Sequence, residues 1–100
     1  MQTVMLKLVT IIGETVLAEQ LSDELKSLGA KGFTATEVRG EGSRHLRAGD
    51  IPGHNVKIET IVSPAVASSI LEHVVQKYFS HYAVIAYVTD VSVVRGEKYV

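Results

Sequence analysis

Cysteine is absent from the 100-residue chain. That removes a disulfide framework, a thiolate nucleophile and any cysteine-ligated zinc site. Aromatic side chains make up only 6% of the residues. A nucleic-acid platform sets its rings on exposed strands amid basic residues, whereas Tyr78, Phe79 and Tyr82 flank a turn. No charge of one sign dominates: ten Lys and Arg against eleven Asp and Glu leave a net charge of −1. The overall field therefore offers no attraction to nucleic acid or to an anionic membrane. No apolar run approaches the ~18 residues that cross a bilayer. Met1 to Gly13 makes a poor secretory leader, with Lys7 as its early charge and no small-residue cleavage site behind it. A soluble cytoplasmic protein, without nucleic acid or membrane insertion, is the expectation.

What the chain does have is apolar patterning, with 46% hydrophobic residues. Its length suits one domain and one core. Thr3 to Ile12 reads as a strand. Glu14 to Leu28 reads as a helix whose stripe is Leu17, Leu21, Leu25 and Leu28, with Gly29 placed for a left-handed C-terminal cap. Lys31 to Val38 is a second strand and Asn55 to Val62 a third. Ser63-Pro64 is a helix start, serine as N-cap and proline at the first helical position. The helix then runs to Tyr78 with Val66, Ile70, Val74 and Tyr78 inward, widened by Ala67, Leu71 and Val75. After a turn from Phe79 to Tyr82, Ala83 to Val94 is a fourth strand, and Arg95 to Val100 is a short polar tail.

This order predicts an α+β, ferredoxin-like βαββαβ sandwich: an antiparallel sheet with two helices on one face. Both faces of the outermost strands in sequence are apolar. Val4, Leu6, Leu8 and Ile12 oppose Met5, Val9 and Ile11, and Val84, Ala86, Val88 and Val94 oppose Ile85, Tyr87, Val91 and Val93. Two helices cover one face; the other calls for a second copy of the chain, so an oligomer is expected.

The pattern breaks from Arg39 to His54. These 16 residues hold four of the eight glycines, and three of the four arginines: Arg39, Arg44 and Arg47. The fourth, Arg95, follows the last strand. Arginine presents a planar fork of donors to phosphate or carboxylate, and Gly40 and Gly42 permit close backbone approach to a ligand. An anion site and a merely solvated loop both fit this composition. Gly40-Glu41-Gly42 lacks the third glycine of a dinucleotide fingerprint and the Lys-Ser/Thr ending of a P-loop. His45, His54, His73 and His81 show no helical metal-ligand spacing, and Ser43, Ser63 and Ser80 lack a nucleophile motif. No catalytic residues and no metal site are predicted.

Gly32-Phe33-Thr34-Ala35-Thr36-Glu37-Val38-Arg39-Gly40-Glu41-Gly42 resembles the segment with which the PII signalling superfamily closes its second strand and opens its T-loop. Val56-Lys57-Ile58-Glu59 is similar to that family's third strand. The resemblance spans nearly the whole chain, as one domain over residues 1–100. It implies a trimer with a nucleotide in each inter-subunit cleft, and three lids: a T-loop at about 39–54, a B-loop at about 79–83 and a C-terminal segment at 95–100. The chain departs from ordinary PII proteins in three places. Ser80-His81-Tyr82-Ala83 stands where a glycine-rich, lysine-bearing phosphate loop is usual, the T-loop has no tyrosine, and Ser43-Arg44 replaces the Arg-Gln that holds magnesium and 2-oxoglutarate.

Gly42-Ser43-Arg44-His45-Leu46-Arg47 is similar instead to the PII-like carbon-regulating branch, that of the bicarbonate-transporter regulator SbtB and the carboxysome-associated CPII. The absence of a cysteine-bearing extension after Val100 points to the CPII type. The resemblance implies ADP or AMP as ligand, with ATP and cyclic AMP as further candidates, and bicarbonate as second ligand. It assigns the nucleotide to Gly32, Phe33, Thr34, Gly40, Gly42, Ser43, Arg44, Arg47, Ser80, His81, Tyr82 and Arg95, and bicarbonate to Arg44 and Arg47. No covalent cofactor is implied. The T-loop would address a protein target, for which a membrane transporter is one candidate. Alternatives are a nitrogen-regulatory PII protein sensing ATP/ADP and 2-oxoglutarate, a small ferredoxin-like nucleotide hydrolase, and a CutA-type metal-tolerance protein.

Overall fold

The computed structural model describes residues 1–41 and 53–100. Strand β1 (Thr3–Glu14) leads through a single 3₁₀ turn, Thr15–Leu17, into helix α1 (Ala18–Ser27). Strands β2 (Thr34–Arg39) and β3 (His54–Val62) follow, then helix α2 (Pro64–Tyr78), strand β4 (Val84–Val94) and a closing 3₁₀ turn, Gly96–Tyr99. The sheet order is β2-β3-β1-β4 and every pairing is antiparallel. This is the expected ferredoxin-like α+β sandwich. Among the described residues no helix is long and apolar enough to cross a membrane.

Register decides which face is core. Val9 lies between Thr60 and Val88, and Ile11 between Ile58 and Ala86. Val9, Ile11, Val56, Ile58 and Val62 pack with Leu17, Leu21 and Leu25, and with Ala67, Ile70, Val74 and Tyr78 of α2. Thr60, on the same face, is buried, and its hydroxyl donates to the Gly32 carbonyl at 2.6 Å. The opposite face carries Val4, Leu6, Leu8 and Ile12 of β1 alongside Val93, Val91 and Ile85 of β4. The Gly96–Tyr99 turn packs on Val4 at one end of this face; among the described residues no element covers its β4 side farther along, where Ile85 is 56% exposed and Tyr87 44%.

The punctuation behaves as its chemistry requires. Gly29 takes φ +115 beyond the last turn of α1, where the Ala30 N–H reaches the Leu25 carbonyl at 3.0 Å. Ser63 caps α2 by accepting the Val66 N–H at 3.3 Å, with Pro64 at the first turn.

Four details differ from the sequence reading. β1 runs on through Gly13 and Glu14, because Glu14 pairs with Asn55 of β3; the β-branched Thr15 and Val16 that follow are poor helix formers and make only a 3₁₀ turn. β2 begins at Thr34 rather than Lys31 and runs on to Arg39, which pairs with His54, so the loop base is narrower than the pattern suggested. The inward stripe of α2 is rotated, with Ala67 buried, Val66 half-buried and Val75 exposed. Finally, residues 95–100, read as a short polar tail, contain the 3₁₀ turn Gly96–Tyr99. Arg95 turns the chain through a left-handed conformation, φ 63, and Gly96 is buried against Val4.

Candidate nucleotide and anion site

The ladders bring four chain ends to one end of the sheet. Arg39 lies opposite His54, Glu14 opposite Asn55, and Gly13 opposite Val84. The Gly40 N–H closes the loop base by donating to the Gly53 carbonyl at 2.8 Å. Gly53 holds φ +79, and a Cβ there would lie 3.3 Å from the Gly40 carbonyl oxygen, so glycine suits the position on both counts.

Beside the loop base stands the turn after α2. The Tyr78 carbonyl accepts the N–H of His81 at 3.1 Å and of Tyr82 at 2.9 Å. The next N–H, that of Ala83, donates to Glu14 Oε2 at 2.8 Å. Glu14 is 1% exposed. The Tyr82 ring packs edge-on against Tyr78 with centroids 5.9 Å apart. The turn is thus seated on a buried tyrosine and tied to the end of β1.

Tyr78 in turn is fixed from α1: its hydroxyl donates to Glu24, which also receives Lys77. His73 Nε2 lies 3.2 Å from Glu24 Oε1 but off the hydrogen-bonding direction. Burial alone would raise the Glu24 pKa; hydrogen bonds from Lys77 and Tyr78, the nearby His73 and the Lys77 charge outweigh it and hold the carboxyl below the ordinary glutamate value. Burial, and then the adjacent Glu24, push the Tyr78 hydroxyl well above the usual phenol range, keeping it a donor.

The predicted ligand residues divide into three groups. Gly40, Ser80, His81 and Tyr82 lie at the end just described, with Ser80 and His81 exposed and Tyr82 half-buried. Gly32, Phe33 and Thr34 lead into β2 on the sheet edge; Phe33 packs against the core with the Lys26 ammonium 5.4 Å from its ring centroid, and Thr34 is exposed. Arg95 follows β4 at the far end, about 34 Å along the strand from the turn. Gly42, Ser43, Arg44 and Arg47 lie outside the described residues. One chain therefore does not assemble the whole set. Among the described residues no group of His, Asp or Glu is arranged to hold a metal ion.

The family model of nitrogen regulatory protein P-II matches residues 6–98. The chain belongs to this family. A PII-like signalling protein from Thermus thermophilus is 58% identical over the full length of both chains, with a TM-score of 0.87. CPII from Thiomonas intermedia, bound to ADP, AMP and acetate, is 27% identical over 99% of this chain and 98% of that one, with a TM-score of 0.84. The same protein bound to ADP and bicarbonate is 27% identical over 98% and 97% of the two chains, with a TM-score of 0.83.

Within this P-II chain the residue that sequence reasoning missed is Glu14. An acidic residue following a glycine has the pattern of a helix start. The signal against that reading is the pair Thr15-Val16, which favours extension of the strand.

Proposed function

We propose that the chain is a PII-like regulatory sensor that works as a homotrimer. It binds ADP or AMP, with bicarbonate as second ligand, in the clefts between subunits. The observation that carries this reading is the likeness, over nearly the whole chain, to CPII solved with ADP and bicarbonate. Two features support it. The uncovered apolar face of the sheet is a surface for further copies. The separation of Arg95 from Ser80–Tyr82 within one chain also suits a site completed across a subunit boundary.

In this reading Gly32, Phe33, Thr34, Gly40, Gly42 and Ser43, with Ser80, His81 and Tyr82 across the cleft, hold base and sugar. Arg44, Arg47 and Arg95 meet phosphate, and Arg44 and Arg47 also meet the planar bicarbonate anion. Ligand binding changes the order of the T-loop and so its affinity for a protein target in inorganic-carbon metabolism, a disorder-to-order switch. The protein acts as a sensor rather than an enzyme.

Calorimetric titration with AMP, ADP, ATP and cyclic AMP, each with and without bicarbonate, tests the reading. ADP or AMP is expected to bind, and bicarbonate to tighten it. Binding of 2-oxoglutarate that depends on magnesium and ATP would restore the nitrogen-sensing alternative. ATP turnover under saturating magnesium would make the protein a hydrolase, and failure to bind any nucleotide would overturn the proposal.

A further inference from the structure

We propose that Thr60 is a positioning residue for the nucleotide: it holds the Gly32–Phe33 peptide so that the Phe33 N–H faces outward as a donor to the base. The inference rests on the nucleotide reading above, in which Gly32, Phe33 and Thr34 meet base and sugar. Thr60 is 2% exposed, and its hydroxyl donates to the Gly32 carbonyl at 2.6 Å. Val56, Ile58 and Val62 fill the other core positions of β3. A valine would fill this one with the same shape, so the hydroxyl is what threonine adds. Burying it is unfavourable without a partner, and the Gly32 carbonyl is that partner. The peptide is trans, so its N–H, that of Phe33, points opposite to the carbonyl. The carbonyl faces β3; the N–H therefore faces the free edge beyond β2, the outermost strand. The ladder to β3 begins at Thr34, and the turn and loop bonds do not use the Phe33 N–H. Among the described residues this donor has no backbone acceptor. A Cβ on Gly32 would meet nothing within 4 Å and its φ is not left-handed, so the packing of the subunit does not ask for glycine there. Glycine leaves clear space beside the donor and a freer backbone, and Thr60 is the restraint on that freedom. One N–H of fixed direction suits a single acceptor nitrogen of a purine, whereas a phosphate calls for several converging donors.

The test compares the wild-type protein with Thr60→Val, which keeps the shape but loses the hydroxyl, and with Thr60→Ser, which keeps the hydroxyl. Calorimetry measures ADP binding, with circular dichroism on the same samples. T60V should bind ADP about three- to tenfold more weakly, the worth of one hydrogen bond, and T60S should stay within about twofold of wild type. The titrations are repeated with 1-deaza-, 3-deaza- and 7-deaza-ADP, each lacking one acceptor nitrogen of the base. The analogue without the nitrogen that faces Phe33 should bind wild type more weakly and bind T60V no worse than wild type, so the two losses do not add. A merely structural defect would weaken all four ligands alike. By NMR the wild-type Phe33 amide proton should shift saturably with ADP, a reading that needs no variant and decides the matter if T60V does not fold. Equal ADP affinity in folded T60V and wild type overturns the proposal. So does a T60V loss that is the same for ADP and every analogue, or a Phe33 amide unmoved at saturating ADP. A wild type that binds no adenine nucleotide overturns the functional reading itself; one that binds ADP while T60V matches it overturns the role of Thr60 alone.

Discussion

Replacing Ile85 by aspartate tests whether the open sheet face is an assembly surface. Ile85 stands opposite Ile12 on that face and keeps 56% of its surface exposed in the single chain. Full burial of an aliphatic side chain contributes roughly 1.5–3 kcal/mol, so about half of that remains to be gained from a neighbouring copy. Three subunits closing a ring gain it three times, roughly 2–5 kcal/mol for the assembly. Aspartate forfeits this and adds a desolvation cost of several kcal/mol for each charge buried without a partner. The combined loss, roughly 10 kcal/mol over three subunits, should raise the concentration needed for assembly by at least a thousandfold, since for a trimer each factor of ten in concentration takes about 2.8 kcal/mol. The subunit itself should survive, because the side chain points away from the helices and lies outside the core cluster. Sedimentation equilibrium at micromolar concentration, with far-ultraviolet circular dichroism on the same samples, reads both effects. Wild type is expected as a trimer and I85D as a monomer with unchanged helical signal. An I85D protein that remains trimeric would refute the assignment of this face as the contact. A monomeric wild type would refute the trimer itself.

Three further outcomes are expected. Because Glu24 has a folded-state pKa below its ordinary value of 4.5, its contribution to stability is present above that pH and is lost as pH falls beneath it; denaturant midpoints of E24Q should be flatter than wild type across that acid range. A Cβ on Gly96 would lie 2.6 Å from Val4 Cβ, which is fixed to the backbone of β1, so Gly96→Ala should cost ~1–3 kcal/mol and free the C-terminal turn to proteolysis. Arg44→Ala and Arg47→Ala should each weaken nucleotide or bicarbonate binding by about tenfold to a hundredfold, the worth of a hydrogen bond to a charged partner; if the two ligands are coupled, the factor by which each tightens the other must be the same whichever is titrated first.

Local chemistry made most of the fold legible. The leucine stripe of α1, the Ser63-Pro64 start of α2 and the Gly29 cap each depend on residues within a few positions of one another, and each stands in the structure as the sequence implied. Glu14 shows why the rest was not. Whether it opens a helix or ends a strand is decided by Asn55 and by the Ala83 N–H, far along the chain. The same holds for Gly96, whose need to be glycine comes from Val4 at the opposite end of the sequence. Val75 lies on the predicted apolar stripe yet is half exposed, because the helix presents its Ala67–Ile70–Val74–Tyr78 side to the sheet and rotates Val75 out. In the candidate site, the Gly-x-Gly and arginine pattern marked a loop, and the fourth strand already set Arg95 and the Ser80–Tyr82 turn at its opposite ends; no spacing rule could say that Glu14 holds the Ala83 N–H beside that turn.

The pairing of β1 with β4 also governs how the chain can be made. β1 leaves the ribosome before every other element of the sheet, yet it belongs between β3 and β4, and Thr3 finds its partner only when Val94 has been synthesised. Until then a strand with apolar side chains on both faces waits with one edge unpaired, a template for wrong partners. Closure over almost the whole length of the sheet's sequence also makes the last step non-local, and such steps are slow. Truncation anywhere within β4 therefore strips a central strand of hydrogen bonds along one edge, and the nascent chain is committed to its fold only once β4 is complete.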